Sequence, residues 1–226
     1  MKIHYCLPII KKTKEEVLET IKMNRQEYDY FEIWLDYVRD VDESFVKHLI
    51  ADLQEKLLLL FRRQNLEEIH MQENTRKHIL SLLQNTPALI DLDITTQREE
   101  LEYIKENNLQ VQLITSYHNY TETPDNETFE KIISDMAYYA PAIYKVATFC
   151  QTENDTMQLL QLLLTLRKQD KQYIVLGMGE KGLATRIFGT VWGNAMIFAP
   201  RKKDENSAPG QLTKTQLEDI FSIIRN

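Results

Sequence analysis

The sequence predicts an α/β fold, a (β/α)₈ barrel occupying residues 1–226 as a single domain. Short apolar runs alternate eight times with longer amphipathic stretches, and each parallel strand pair needs such a crossover. Runs such as LLLLF (57–61) and YIVLGM (173–178) are nearly continuous in apolar residues, as expected for strands covered on both faces. The first strand-to-helix turn, LPIIKKTKE, lacks the glycines that the phosphate loop of an open doubly wound sheet requires. Eight units close a barrel.

Strands are expected at Ile3–Ile9, Tyr30–Leu35, Lys56–Phe61, Ala88–Ile94, Val111–Tyr117, Ala142–Thr148, Gln172–Met178 and Asn194–Ala199. Helices fall near 13–27, 42–54, 74–84, 97–107, 126–139, 153–167, 181–190 and 213–224. Val17, Leu18 and Ile21 share one helical face, and Ile132, Ile133, Met136 and Ala137 share another. Thr13 before KEEVLE reads as an N-cap with acids in the first turn. Asp125 or Asn126 caps the helix through Phe129, and Thr213 with Gln216 fits a capping box.

At 43% hydrophobic and 27% charged residues the chain has the composition of an ordinary globular protein. Its net charge of −7 and pI near 5.4 argue against nucleic acid or an anionic membrane as partner. Cys6 and Cys150 form neither a C-x-x-C pair nor a metal spacing, and read as reduced thiols of a cytoplasmic protein. The N-terminus shows no signal-peptide pattern, and no apolar run is long enough to span a bilayer.

A barrel carries its chemistry at the C-terminal ends of its strands. Polar groups expected there are Glu32, Asp36, Arg62, Arg63, Asp91, Asp93, Ser116, His118, Lys145, Arg186 and the SAPGQ segment, with Met178 beside them. Lys145 lies within AIYKVAT, where a solvated lysine is out of place. Desolvation disfavours an ammonium, and a free amine attacks ketones. Position alone serves equally a structural lysine paired with an acid such as Asp93. His118 ends strand 5, one strand from Lys145, and an imidazole moves protons near neutrality; a loop histidine bound to backbone is the plainer alternative. Arg186, after glycines that permit a tight turn, could fork onto a carboxylate or pair on the barrel rim. Ser207 and Gln211 supply a hydroxyl and an amide, although a Pro-Gly pair is often only a turn. His4, His48, His70 and His78 read as surface or structural groups and make no metal site.

Taken in order, these segments resemble type I 3-dehydroquinate dehydratase, a Schiff-base dehydratase of the shikimate pathway. ITSYHNYTETP (114–124) is similar to that family's S-[YH]-H-[DN]-[FY]-x-x-T-P segment, and IYKVATFCQTENDTMQLL (143–160) to its lysine segment with a trailing N-D. GMGEKGLATRIFG (177–189) is similar to M-G-x-x-G-x-x-S-R, with Thr185 for the serine, and SAPGQ (207–211) matches directly. The resemblance implies that Lys145 forms the imine and His118 moves the protons. It implies that Glu32, Arg62, Arg186, Ser207, Gln211 and Met178 bind the substrate, 3-dehydroquinate. It implies no cofactor and no metal, because the lysine serves as electron sink, and the family's frequent dimerisation admits a homodimer.

The first half departs from the family pattern. Where the family shows E-x-R-x-D at the end of strand 2, this chain has Glu32-Ile33-Trp34-Leu35-Asp36, so an indole stands where a cationic fork is expected. After strand 3, Arg62 fits, but the acid expected four positions later is Leu66, with Glu67 one further on, and the paired glycines are absent. Asp91 and Asp93 keep the acidic pair of strand 4. Glu67 or Asp91 is therefore the group expected to orient His118. These departures leave room for a Schiff-base lyase or aldolase acting on another keto acid, or for a catalytically idle barrel with a binding role.

Overall fold

A computed structural model describes residues 2–61 and 71–225. Among the described residues, eight parallel strands alternate with eight α-helices: β1 (Tyr5–Ile9), α1 (Lys14–Asn24), β2 (Tyr30–Trp34), α2 (Glu43–Leu53), β3 (Leu57–Leu60), α3 (Glu73–Leu82), β4 (Leu89–Asp93), α4 (Arg98–Glu106), β5 (Gln112–Asn119), α5 (Asn126–Ala137), β6 (Ile143–Phe149), α6 (Glu153–Lys168), β7 (Tyr173–Met178), α7 (Leu183–Trp192), β8 (Ile197–Phe198) and α8 (Lys214–Arg225). β1 to β7 each pair with their sequence neighbours and β1 also pairs with β8, giving the order β7-β6-β5-β4-β3-β2-β1-β8, with β7 and β8 at its two ends. The expected (β/α)₈ barrel is the fold observed.

The helix starts follow from local hydrogen bonds. Thr13 and Glu16 form a reciprocal capping box, as do Thr152 and Asp155. Of the two candidates before α5, Asp125 is the cap, accepting from Thr128 N at 2.8 Å. Thr213 and Gln216 exchange the bonds expected ahead of α8.

The eighth strand is much shorter than Asn194–Ala199. Asn194 is diverted into closing the ring: its side-chain amide accepts from Val175 N at 2.9 Å and donates to Val175 O at 3.1 Å. Ala195 N adds a backbone bond to Tyr173 O at 2.8 Å. An amide thus occupies the β7 edge groups that a regular β8 would pair with. β5 runs two residues beyond the expected Tyr117, which brings His118 into the strand.

Helices and sheet enclose one apolar layer, with Phe31, Leu49, Leu59, Leu80, Phe129 and Leu163 among its fully buried members. A second apolar cluster fills the barrel interior. Strand pleating sorts the interior residues into tiers taken from alternate strands. Tyr30, Leu89, Ile143 and Met196 form the lowest, with Cys6, Leu58, Ile114 and Ile174 above them. The next tier, again from even-numbered strands, is Glu32, Asp91, Lys145 and Phe198.

Candidate active site

Polarity begins abruptly at that third tier. Lys145 is 3% exposed, and its Nζ donates to Asp91 Oδ2 at 2.6 Å. Glu32 Oε1 stands 3.6 Å from the same nitrogen, and the Phe198 ring centroid 4.4 Å away. A buried ammonium is tolerable only when paired and hydrogen-bonded. This tier provides two carboxylates and an aromatic face for one cation. Glu32 is itself held by Trp34, whose indole N–H donates to Oε2 at 2.9 Å.

Two tiers higher, Asp93 holds His118. Its Oδ2 accepts from the His118 backbone N–H at 3.0 Å and lies 2.8 Å from ring Nδ1. Oδ1 accepts from the backbone N–H groups of Thr95 (2.8 Å) and Thr96 (3.2 Å) and from the Thr95 hydroxyl. Burial pushes the Asp93 carboxyl up, but His118 and the Thr95 bonds outweigh it and hold the group below its ordinary value. A carboxylate only accepts, so Nδ1 carries a proton and Nε2 is the basic nitrogen of the ring. Tyr120 stacks on the imidazole with centroids 6.1 Å apart.

Asp91 was expected, with Glu67, as the group to orient His118. The structure corrects this: Asp91 is taken by Lys145, and Asp93 holds the imidazole. The alternative pairing of Lys145 with Asp93 falls with it. Asp91 and Asp93 share the inner face of β4, but as residues i and i+2 they stand two tiers apart, so each meets a different partner. Arg62, Arg63 and Glu67 lie outside the described residues.

Arg186, in the first turn of α7, is 1% exposed. Its Nη2 donates to Pro209 O at 3.2 Å, while Nε and Nη1 have no hydrogen-bond partner among the described residues. Burial lowers its pKa to about 10, which leaves it cationic at neutral pH. An unpaired buried guanidinium is costly, and an entering anion would relieve that cost. The turn before it is tight because Gly177 and Gly182 approach so closely that a Cβ on Gly177 would lie 2.6 Å from Gly182 Cα.

Ser207 and Gln211 tie the last loop to itself: Gln211 Nε2 donates to Ser207 Oγ, and Ser207 N to Gln211 Oε1, each at 2.8 Å. Between them Gly210 has φ +79°, and a Cβ there would fall 2.7 Å from Gly179 O. The Pro-Gly pair therefore seats the loop on the β7 turn. Lys145, His118, Glu32, Arg186, Met178, Ser207 and Gln211 all line one pocket that opens to solvent, together with Trp34, Tyr120 and Phe198. No cluster with metal-ligand character occurs among the described residues.

Sequence reasoning missed three features of this pocket. Asp93 as the imidazole's partner was legible only as one of two acids on one strand face. The stacking of Tyr120 and the approach of Phe198 to the amine depend on contacts between strands, and no sequence signal marks them.

Residues 5–226 match the family model described as Type I 3-dehydroquinase. The chain belongs to the type I 3-dehydroquinase family. Among curated relatives, a 3-dehydroquinate dehydratase from Methanococcus vannielii is 29% identical, over 97% of this chain and 99% of the relative. One from Coxiella burnetii is 26% identical over 96% and 91%. Among solved structures, 3-dehydroquinate dehydratase from Geobacillus kaustophilus superposes with a TM-score of 0.83 at 22% identity, covering 100% of this chain and 92% of that one. The type I enzyme from Clostridium difficile, solved with covalently modified comenic acid, superposes at 0.82 with 23% identity, over 99% and 92%. As a type I 3-dehydroquinase, the chain has the barrel of its relatives.

Proposed function

We propose that this chain converts 3-dehydroquinate to 3-dehydroshikimate by syn elimination of water, through an imine at Lys145, on the shikimate route to aromatic amino acids. The observation that carries the reading is the convergence of three groups on one pocket. These are the buried Lys145 amine, the His118–Asp93 pair and the anion-seeking Arg186.

Lys145 adds to the C3 ketone, and loss of water leaves an iminium. The iminium acidifies the neighbouring C2 proton, because the resulting electron pair delocalises into an enamine. His118 Nε2 removes that proton and returns it to the C1 hydroxyl, which departs as water. Hydrolysis frees the product and the amine. Asp93 orients the imidazole and stabilises its protonated form. Arg186 pairs with the C1 carboxylate, Ser207 and Gln211 hydrogen-bond to the substrate from the last loop, Met178 packs on the ring, and Glu32 faces the reacting nitrogen. The absence of any membrane-spanning helix among the described residues fits a cytoplasmic location.

Borohydride reduction in the presence of 3-dehydroquinate, read by intact-protein mass spectrometry, tests this reading. Wild type should gain a stable adduct at Lys145 and form dehydroshikimate. Lys145→Ala should lose both. His118→Ala should keep the adduct and lose turnover by about 10²–10⁴-fold. Normal turnover by Lys145→Ala sinks the mechanism. Trp34, in place of a cationic fork, favours one second reading, a different keto acid as substrate. A panel of ring and open-chain keto acids in the same trapping assay separates the two.

A further inference from the structure

We propose that Asp91 is the proton shuttle of Lys145, taking the ammonium proton when the amine attacks and delivering it to the carbinolamine oxygen that leaves as water. This rests on the imine chemistry proposed above.

The starting point is the ion pair itself. An ammonium hydrogen-bonded to a carboxylate at 2.6 Å is not a nucleophile, so its proton must go somewhere before the nitrogen can attack. Bulk water is a poor destination, since Asp91 and Lys145 are 0% and 3% exposed. Below them lies the apolar tier of Cys6, Leu58, Ile114 and Ile174, which offers no proton path. Cys6 is the titratable group of that tier, and burial holds its thiol well above its ordinary value, so it stays protonated.

Among the described residues, the charged and titratable groups facing the amine are few. They are Cys6 from β1, Glu32 from β2, Asp91 from β4 and, farther up the barrel, Asp93 and His118 from β4 and β5. Strands β3, β7 and β8 present Leu58, Ile174, Leu176 and Phe198. Asp93 is engaged with His118 and Thr95. Glu32 stands a full ångström farther from the nitrogen than Asp91, with its other oxygen on the Trp34 indole. Asp91 is the acceptor already in contact.

The step balances without any further reagent. The ammonium gives one proton to Asp91. The free amine bonds to the ketone carbon, and a second nitrogen proton moves to the new alkoxide. Asp91 then protonates that hydroxyl, water leaves, and the nitrogen keeps one proton as the iminium. The same net charge faces Asp91 and Glu32 before and after, so the tier that stabilises the ammonium also stabilises the iminium. Hydrolysis runs the sequence backwards. His118 is thereby left to the carbon chemistry, and the two carboxylates of β4 divide the work, one per reacting group.

The test is the rate of adduct formation, trapped by borohydride, from about pH 6 to about pH 9. Two probes are used, 3-dehydroquinate and acetylacetone, a small diketone that condenses with reactive lysines. Wild type should react at a nearly constant rate across neutral pH. Asp91→Asn should form adduct about 100-fold more slowly at pH 7, with the rate climbing about tenfold per pH unit as hydroxide takes over the deprotonation. Single-turnover dehydration of the preformed adduct should keep the wild-type pH profile, since His118 carries the proton of that step. A folded Asp91→Asn with the wild-type rate and profile overturns the proposal. So does a tenfold-per-unit climb in the wild type, which needs no variant to fold. Reaction with acetylacetone but not with 3-dehydroquinate removes the substrate reading, while the diketone series still decides the role of Asp91.

Discussion

Two buried cations line the same pocket, and the fold treats them in opposite ways. Lys145 is given Asp91 at 2.6 Å and Glu32 at 3.6 Å within its own tier. Arg186, equally buried, is given one carbonyl, and two of its nitrogens go unsatisfied among the described residues. The lysine is cationic both at rest as the ammonium and in the reaction as the iminium, so its counter-charges belong to the protein. The arginine needs an anion only while substrate is bound, so its counter-charge can arrive with the ligand. Stability is spent at the second site and secured at the first.

Replacing each cation by an isosteric methionine gives the sharpest contrast. Lys145→Met should abolish activity and also destabilise the fold by about 3 kcal/mol near neutral pH, because two carboxylates lose the ammonium they face. Arg186→Met should cut kcat/KM by at least about 100-fold yet raise the thermal midpoint by a few degrees, since a costly buried charge disappears. Thermal unfolding followed by circular dichroism reads both. A drop in midpoint for Arg186→Met would mean that the guanidinium is satisfied in the free protein, and the comparison would collapse.

Asp93 sharpens the picture with pH. Its carboxyl is held below its ordinary value in the folded protein, so its contribution to stability is complete above about pH 4. That contribution is lost as the pH falls through the lowered folded-state value. Asp93→Asn should flatten the acid limb of the stability profile and, by freeing the imidazole's orientation, lower kcat about tenfold or more with little change in KM. A steep acid limb retained in the variant would assign that slope to other carboxylates.

The smallest effect is expected at the last loop. Gly210→Ala forces a side chain into a left-handed backbone and against Gly179 O. It should cost about 1–2 kcal/mol locally and appear chiefly as a raised KM, since Ser207 and Gln211 would be displaced from the pocket while Lys145 is untouched. Unaltered KM would show that this loop contributes little to binding.

Much of this was legible in the chain. The eight strand–helix units, the caps at Thr13 and Thr213, and the position of His118 near the end of β5 follow from local periodicity and from turn residues, whereas Lys145 lies lower, as the third residue of β6, and Arg186 lies in α7. The allotment of acids was not legible. Asp91 and Asp93 are two residues apart on one strand, and period-two patterning says only that they face the same way. Trp34 read as a lost cation; in the folded barrel its indole N–H fixes the carboxylate of Glu32. Asn194 read as the start of a strand; it instead supplies the amide that seals the ring.

The sequence by itself determined which elements form, in what order, and which reactive side chains they carry. Those properties depend on neighbours a few residues away. Only the tertiary structure decided which carboxylate serves the amine, which serves the imidazole, and that the guanidinium is left waiting. Those outcomes depend on how far each closed strand is shifted against the next, a quantity spread over the whole ring and written at no single position.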